Sequence, residues 1–373
     1  MKKDNKKSSC LILVIFFALF IGGVTVLDFI KSDENFSEFE NRYLTQSPTM
    51  TWDSLMDNSY TATYEKFIND QFILRNNWID FKSKAEMLLL KIENNGIVYG
   101  KENMLFEKYN AVNAEQLQKN IGFIKEFANG KDNITFSVIP SAYEIYRENL
   151  PYGITMVDQQ AKTKEIYESL AGTVKTIDLY PSLIENKENY IYYRTDHHWT
   201  TKGAYIAYQK YCEEKGLIPV LVNFDDAVKV QDFYGTYFNK SKNTSLTPDT
   251  LMYFDFPITA TVNGEVKDNY LDLNSFEKRD KYAAFLYGNN GITVLKSKEK
   301  AGQNGKILVI KDSFSNCFAP FLTYNYDEVY IVDLRSLPMG LNELLANNEF
   351  KDILIMYNFK NFESDTNLYR FKY

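Results

Sequence analysis

Apolar residues fall into three different patterns along this chain. From Cys10 to Leu27 no charged residue occurs for 18 positions, and Phe29 and Ile30 extend the run past Asp28. That length reaches the lower limit for a membrane-spanning helix, with Asp28 at the interface. Lys2, Lys3, Lys6 and Lys7 precede it and predict a cytoplasmic N-terminus, with the remainder of the chain outside the cytoplasm. The stretch Val26–Ile30 offers no small-x-small cleavage site, so an uncleaved anchor is expected rather than a signal peptide.

Residues 32–93 follow with polar and amphipathic stretches. The segments Ser37–Arg42 and Tyr64–Phe72 read as helical and stalk-like, and Trp78–Ile92 places Trp78, Ile79, Phe81, Ala85, Leu88, Leu89 and Ile92 near a helical period. This last segment is expected to pack on the main domain. From residue 94 to 373 the pattern becomes α/β. Short β-branched runs at Ile134–Ile139, Thr173–Ile177, Lys306–Ile310, Glu328–Val332 and Asp352–Met356 alternate with helical candidates at Ala114–Phe127, Gln159–Leu170, Lys202–Glu214, Phe314–Leu322 and Leu341–Ala346. Such alternation predicts a mainly parallel sheet flanked by helices. Residues 222 to about 300 break it with Gly235, Pro248, Pro257 and other turn residues, and read as inserted β-hairpins. One of them is marked by Asn263-Gly264 between Ile258–Val262 and Glu265-Val266.

Charge and composition then narrow the function classes. The 42 Lys and Arg against 49 Asp and Glu give a net charge of −7, without the basic face expected of a nucleic-acid reader. Only two histidines occur, His197 and His198, side by side, with three scattered cysteines. A site of three His ligands or a Cys/His zinc site cannot be assembled from them, and no metal or cofactor is expected. The letters Asp196-His197-His198 also occur in manganese phosphoesterases, but those need further Asp and His ligands. Cys10 precedes the apolar run, where a lipidated cysteine would follow it, and Cys212 and Cys317 could pair outside the cytoplasm, although two lone thiols in a large chain are more often unpaired. The 16% aromatic content fits core packing, and equally a sugar-binding surface.

Two short segments carry chemistry. The apolar strand from Lys306 ends at Asp312-Ser313 and leads into Phe314, which would present Ser313 in the crevice at the C-terminal ends of parallel strands. Backbone N–H groups there can stabilise an oxyanion. Asp196-His197-His198, in a loop ahead of the helix Lys202–Glu214, supplies an imidazole base and a carboxylate to orient it, as in a hydrolase triad. Read by themselves, Asp312 or Ser313 also fits a plain N-cap, and the His pair a structural cap.

Thr195-Asp196-His197-His198-Trp199-Thr200 with Lys311-Asp312-Ser313-Phe314 downstream resembles the DHHW family of bacterial envelope proteins. These are similar to the SGNH-like O-acetyltransferases of alginate and other exopolysaccharide systems. The likeness takes in Glu40-Asn41-Arg42-Tyr43-Leu44, Asp70-Gln71-Phe72 with Arg75, Val98-Tyr99-Gly100-Lys101, Ile139-Pro140-Ser141, Leu150-Pro151, Val332-Asp333-Leu334-Arg335 and Tyr357-Asn358. It implies an SGNH-hydrolase-like (flavodoxin-like) domain in which the serine comes last instead of first. It implies Ser313 as nucleophile, His198 as general base, Asp196 as its orienter and His197 as a neighbour. Asn358, Arg335, His197 and Trp199 are further candidates for oxyanion or substrate contacts. The turn reads Lys-Asp-Ser where SGNH esterases have Gly-Asp-Ser, and no oxyanion donor is assigned by it. The implied activity is acetyl transfer to an envelope polysaccharide, with a multi-spanning membrane acyltransferase as acyl-donor partner. A carbohydrate esterase and a non-catalytic polysaccharide-binding scaffold are the alternatives.

Overall fold

The computed structural model describes residues 2–37, 42–243, 245–299 and 304–373, with side chains from Leu11 onward. Glu40 and Asn41, and the side chains of Lys2, Lys3, Lys6, Lys7 and Cys10, lie outside the described residues. The chain divides into two units, Met1–Lys91 and Ile92–Tyr373.

The first unit opens with the helix Lys2–Ile30, whose stretch Leu11–Ile30 has a mean hydropathy of 2.6 and is not buried by other residues. Its single apolar helix is long and apolar enough to cross a membrane. Ser37 and Arg42, expected in a helix, lie instead in the two-stranded ladder Phe36–Ser37 with Arg42–Tyr43. The reason is visible in their partners. Arg42 Nη2 meets Asp70 Oδ1 at 2.6 Å, and the Thr45 N–H donates to Asp70 Oδ2 at 2.8 Å. The Gln71 amide donates to the carbonyls of Glu34 and Thr45, and its oxygen accepts from the Glu34 N–H at 2.9 Å. An extended segment is thereby clamped to the end of the helix Ser59–Gln71. Arg42 also holds the Asp70 carboxyl well below the usual carboxylate range. A further helix spans Arg75–Leu88, and Leu90 beyond it adopts a left-handed φ of 61°.

The second unit is built on an eight-stranded mixed sheet, with spatial order Glu265–Lys267, Ile258–Val262, Ile292–Ser297, Glu328–Val332, Lys306–Lys311, Asp352–Asn358, Ile134–Ile139, Lys175–Asp178. The last five strands are mutually parallel. The first three are antiparallel additions, so the insertion extends the main sheet and the sheet is less parallel than its sequence suggests. Residue pattern explains the difference. Ile134–Ile139 is buried at every position, as a parallel strand covered on both faces must be, whereas Ile258–Val262 alternates buried and half-buried residues. Asn263 and Gly264, with φ of 47° and 89°, make the two-residue turn to Glu265–Lys267. Among the described residues of the inserted segment, Val228–Phe233 and Asp249–Tyr253 form a separate two-stranded ladder.

Numbered along the chain, the five parallel strands lie in the order 4-3-5-1-2. Starting the count at Lys306–Lys311 turns this into 2-1-3-4-5, so the chain enters that order at its fourth strand. Helices Ala114–Ala128, Gln159–Leu170 and Thr201–Lys215 bury Leu117, Ile121, Ile166, Leu170, Ala204 and Tyr208 in the same core as the strands. The helix expected over Phe314–Leu322 is two 3₁₀ segments, Ser313–Asn316 and Ala319–Tyr324. Pro320 lacks the N–H that a continuous α-helix would need there.

Candidate active site

The His pair sits on a loop pinned from both ends. The Thr200 side chain caps the helix Thr201–Lys215, and the Thr200 N–H donates to the Ile191 carbonyl at 2.9 Å. Ahead of the pair, the buried Asp249 carboxylate accepts from the N–H groups of Arg194 and Thr195 and from the Thr195 hydroxyl, at 2.9, 2.8 and 2.6 Å. The Tyr190 hydroxyl donates to the same carboxylate. Four donors compensate the desolvation of one buried charge.

Within this frame Asp196 Oδ1 lies 2.6 Å from His198 Nδ1 and accepts from the His198 N–H at 2.9 Å. The other oxygen, Oδ2, accepts from the N–H and hydroxyl of Thr236 at 2.7 and 3.1 Å. Since a carboxylate only accepts, the proton on the His198 ring belongs on Nδ1, and Nε2 keeps a lone pair. That nitrogen lies 2.7 Å from Ser313 Oγ, across 115 positions of sequence. The serine follows the strand Lys306–Lys311, where Asp312 accepts from the Phe314 N–H at 3.0 Å through Oδ1. Its Oδ2 accepts from the Asn358 N–H and the Asn361 side-chain amide, both at 2.7 Å. The turn at Ser313 is thus tied to the neighbouring strand Asp352–Asn358 and the helix start after it.

Tyr282, from the inserted segment, stacks on His198 with ring centroids 3.7 Å apart and planes 12° from parallel. Its hydroxyl donates to the Ser313 carbonyl at 3.0 Å. Burial of the ring, together with the neighbouring His197, pushes the His198 imidazole below its usual pKa, against the pull of Asp196. Burial also opposes charge on His197, but the Asp196 carboxylate outweighs it and raises that ring's pKa. His197 Nδ1 lies 2.6 Å from Thr236 Oγ1 and 3.5 Å from Asp196 Oδ1. Ligand-type atoms of Asp196, His197 and His198 come within 4.8 Å of one another. Their contacts with Thr236, Ser313 and each other suit proton transfer better than ligation.

A cleft of about 280 Å³ opens beside these groups, lined by His197, Thr236, Phe314, Asn358 and Asn361 among others. Asn358 reaches it, but its side-chain amide donates to the Ile139 carbonyl at 3.0 Å. Arg335 forms a two-point pair with Asp333, at 2.8 and 2.5 Å. Trp199 is fully buried, with its indole N–H donating to the Phe314 carbonyl at 2.8 Å, so it offers no surface to a ligand and instead joins the two halves of the site. Thr236, Asp249, Tyr282 and Asn361 were not legible as site residues. Three of them come from the inserted segment, and no spacing in the sequence links them to the His pair. Gly235 also belongs here, since a Cβ on it would fall 2.2 Å from Asp196 Cβ.

Solved structures with this fold include a DHHW family protein from Eubacterium siraeum, 22% identical, with TM-score 0.61 over 75% of this chain and 96% of that one. Bacillus cereus PatB1 is 20% identical, with TM-score 0.60 over 73% of this chain and 98% of its own. The same protein, solved with a sulfonyl adduct, is 21% identical with TM-score 0.58, covering 74% of this chain and 99% of that one. No curated protein matches the chain significantly. The DHHW protein family model matches residues 91–332, which contain the Asp196–Trp199 signature and the Ser313 turn together, and the chain belongs to that family.

Proposed function

We propose that this protein is a membrane-anchored, extracytoplasmic SGNH-like O-acyltransferase that moves an acetyl group onto a hydroxyl of a cell-envelope polysaccharide. The observation that carries this reading is the 2.7 Å approach of His198 Nε2 to Ser313 Oγ, with Asp196 behind the imidazole. In the first step His198 takes the Ser313 hydroxyl proton as Oγ bonds to the acyl carbonyl carbon. The tetrahedral oxyanion is held by the backbone N–H of Ser313, since those of Phe314 and Ser315 are engaged by Asp312, and its collapse expels the donor alkoxide, which receives the proton from His198. In the second step His198 takes the proton of a sugar hydroxyl as its oxygen bonds to the acyl carbon, and collapse breaks the bond to Ser313 Oγ, which takes that proton back from His198 and leaves the acetyl ester on the sugar. Asp196 keeps the imidazole in its tautomer and stabilises the imidazolium.

The acyl donor in this reading is supplied by a multi-spanning membrane acyltransferase. Residues 1–31 anchor the chain with its N-terminus in the cytoplasm, residues 32–93 act as a stalk, and residues 94–373 form the catalytic domain. The sulfonyl adduct on the Bacillus cereus neighbour makes a sulfonyl fluoride a natural probe. The full chain is expected to be labelled once, at Ser313, and Ser313→Ala to lose labelling together with ester turnover, by a factor on the order of 10³ or more. Labelling and turnover that survive in Ser313→Ala would remove the nucleophile assignment. Loss of turnover with intact polysaccharide binding separates the enzyme from a scaffold.

A further inference from the structure

Three side chains from three separate elements meet at the mouth of the cleft. Glu107 ends the strand Leu105–Glu107, Lys240 lies on the helix Thr236–Ser241 and Lys360 on the helix Phe359–Ser364. Lys240 Nζ reaches Glu107 Oε1 at 2.8 Å, and Lys360 Nζ reaches Glu107 Oε2 at 2.5 Å. All three line the cleft with His197. The lysine side chains are 50% and 37% exposed, against 22% for the glutamate. One carboxylate therefore faces two ammonium groups, and each ammonium has donors beyond the one directed at Glu107. The carboxylates beneath, Asp196 and Asp312, are buried and engaged by His198, Thr236, Asn358 and Asn361. Asp280 carries a further carboxylate near His197 but does not line the cleft. An excess of cation at this rim runs against the −7 of the whole chain, which would otherwise repel a polyanion.

We infer that the acceptor is an anionic glycan, whose carboxylate or phosphate is held by Lys240 and Lys360 while a neighbouring hydroxyl is presented to Ser313. Glu107 sets the strength of that contact, because it organises both lysines and cancels one of their two charges. The inference rests on the polysaccharide reading of the cleft, and binding measured apart from turnover distinguishes failure of one from failure of the other.

The test is calorimetric titration of the full chain in detergent with tetragalacturonate, its fully methyl-esterified counterpart and a glycerol-phosphate tetramer. Both anionic probes carry the chemistry, and the tighter one identifies its source. At 50 mM salt an anionic probe is expected to bind about fivefold or more tighter than the neutral tetramer, and the ratio to shrink at 500 mM. Lys240→Gln combined with Lys360→Gln should bring the ratio near one. Glu107→Gln should increase it. If the double variant does not fold, the salt dependence and the Glu107→Gln titration decide. Equal or unmeasurable binding of all three probes to the wild type overturns the inference, as does a ratio unchanged in a folded double variant. Sulfonyl labelling of Ser313 that persists in such a case leaves the nucleophile reading standing.

Discussion

His197 and His198 compete for one carboxylate, and their positions separate their roles. His198 lies 2.6 Å from Asp196 Oδ1 under the ring of Tyr282, while His197 stands 3.5 Å from that oxygen at the cleft wall. The pair titrates as a unit, with His197 protonating first and its charge then opposing a proton on His198. General-base action needs neutral His198. Under the proposed mechanism activity is therefore expected to fall as pH drops through its pKa, which lies below the usual 6.5. Replacing His197 by Gln removes the opposing charge, so the acid limb of kcat/KM should move to higher pH. The same sign holds for stability. An unfolded chain binds a proton to His198 at a higher pH than the folded one, so stability rises with pH between the folded value and 6.5. A pH profile of sulfonyl labelling in wild type and His197→Gln checks the assignment, and an acid limb that stays in place or moves down refutes it. At this scale the sequence was informative where chemistry is rare. Two histidines beside an aspartate leave few choices for a base, whereas Tyr282 is one of 28 tyrosines and has no local mark of its position over the imidazole.

Elements were legible where one physical cause dominates. The continuous apolar run Ile307–Ile310 forms a buried parallel strand, and the Asn263-Gly264 turn closes its hairpin. Less legible were elements set by distant partners. The strand Ile292–Ser297 pairs with Glu328–Val332 and thereby brings the inserted segment into the sheet that carries Ser313. That segment also supplies Gly235-Thr236, and only tertiary packing shows why a glycine stands there. Gly235 has an ordinary backbone, yet any Cβ on it would meet Asp196 Cβ at 2.2 Å and Oδ2 at 2.4 Å. Gly235→Ala must push Asp196 away from Thr236 and tilt His198 from Ser313. A displacement of about 1 Å in such a group is expected to cost roughly 100-fold in turnover. The fold should lose only about 1–3 kcal/mol, a typical cost of overpacking. Steady-state kinetics beside a thermal melt separates the two effects, and wild-type turnover in Gly235→Ala would show that Asp196 has room to give.

For the whole molecule, strand order gives a geometric meaning to the late position of the serine. Counted from Lys306–Lys311, the parallel strands run 2-1-3-4-5, with Ser313 after the first strand and the His loop after the fifth, Lys175–Asp178. Entering at the fourth strand puts the His loop before Ser313 in sequence without moving either in space. The N-terminal helix belongs to the same scale. The 20 residues Leu11–Ile30 span about 30 Å as a helix, the thickness of a bilayer core, and no described residue covers them. Such a helix holds the protein at a membrane independently of the sheet. The full chain should remain in the membrane pellet after alkaline carbonate washing. A chain lacking residues 1–31 should appear in the soluble fraction and still be labelled at Ser313 at close to the wild-type rate, because His198 and Tyr282, which hydrogen-bond that serine, belong to the second unit. If the shortened chain stays with the membrane, a second attachment exists outside Leu11–Ile30. If it is soluble and folded yet unlabelled, the first unit does more for the site than anchor it.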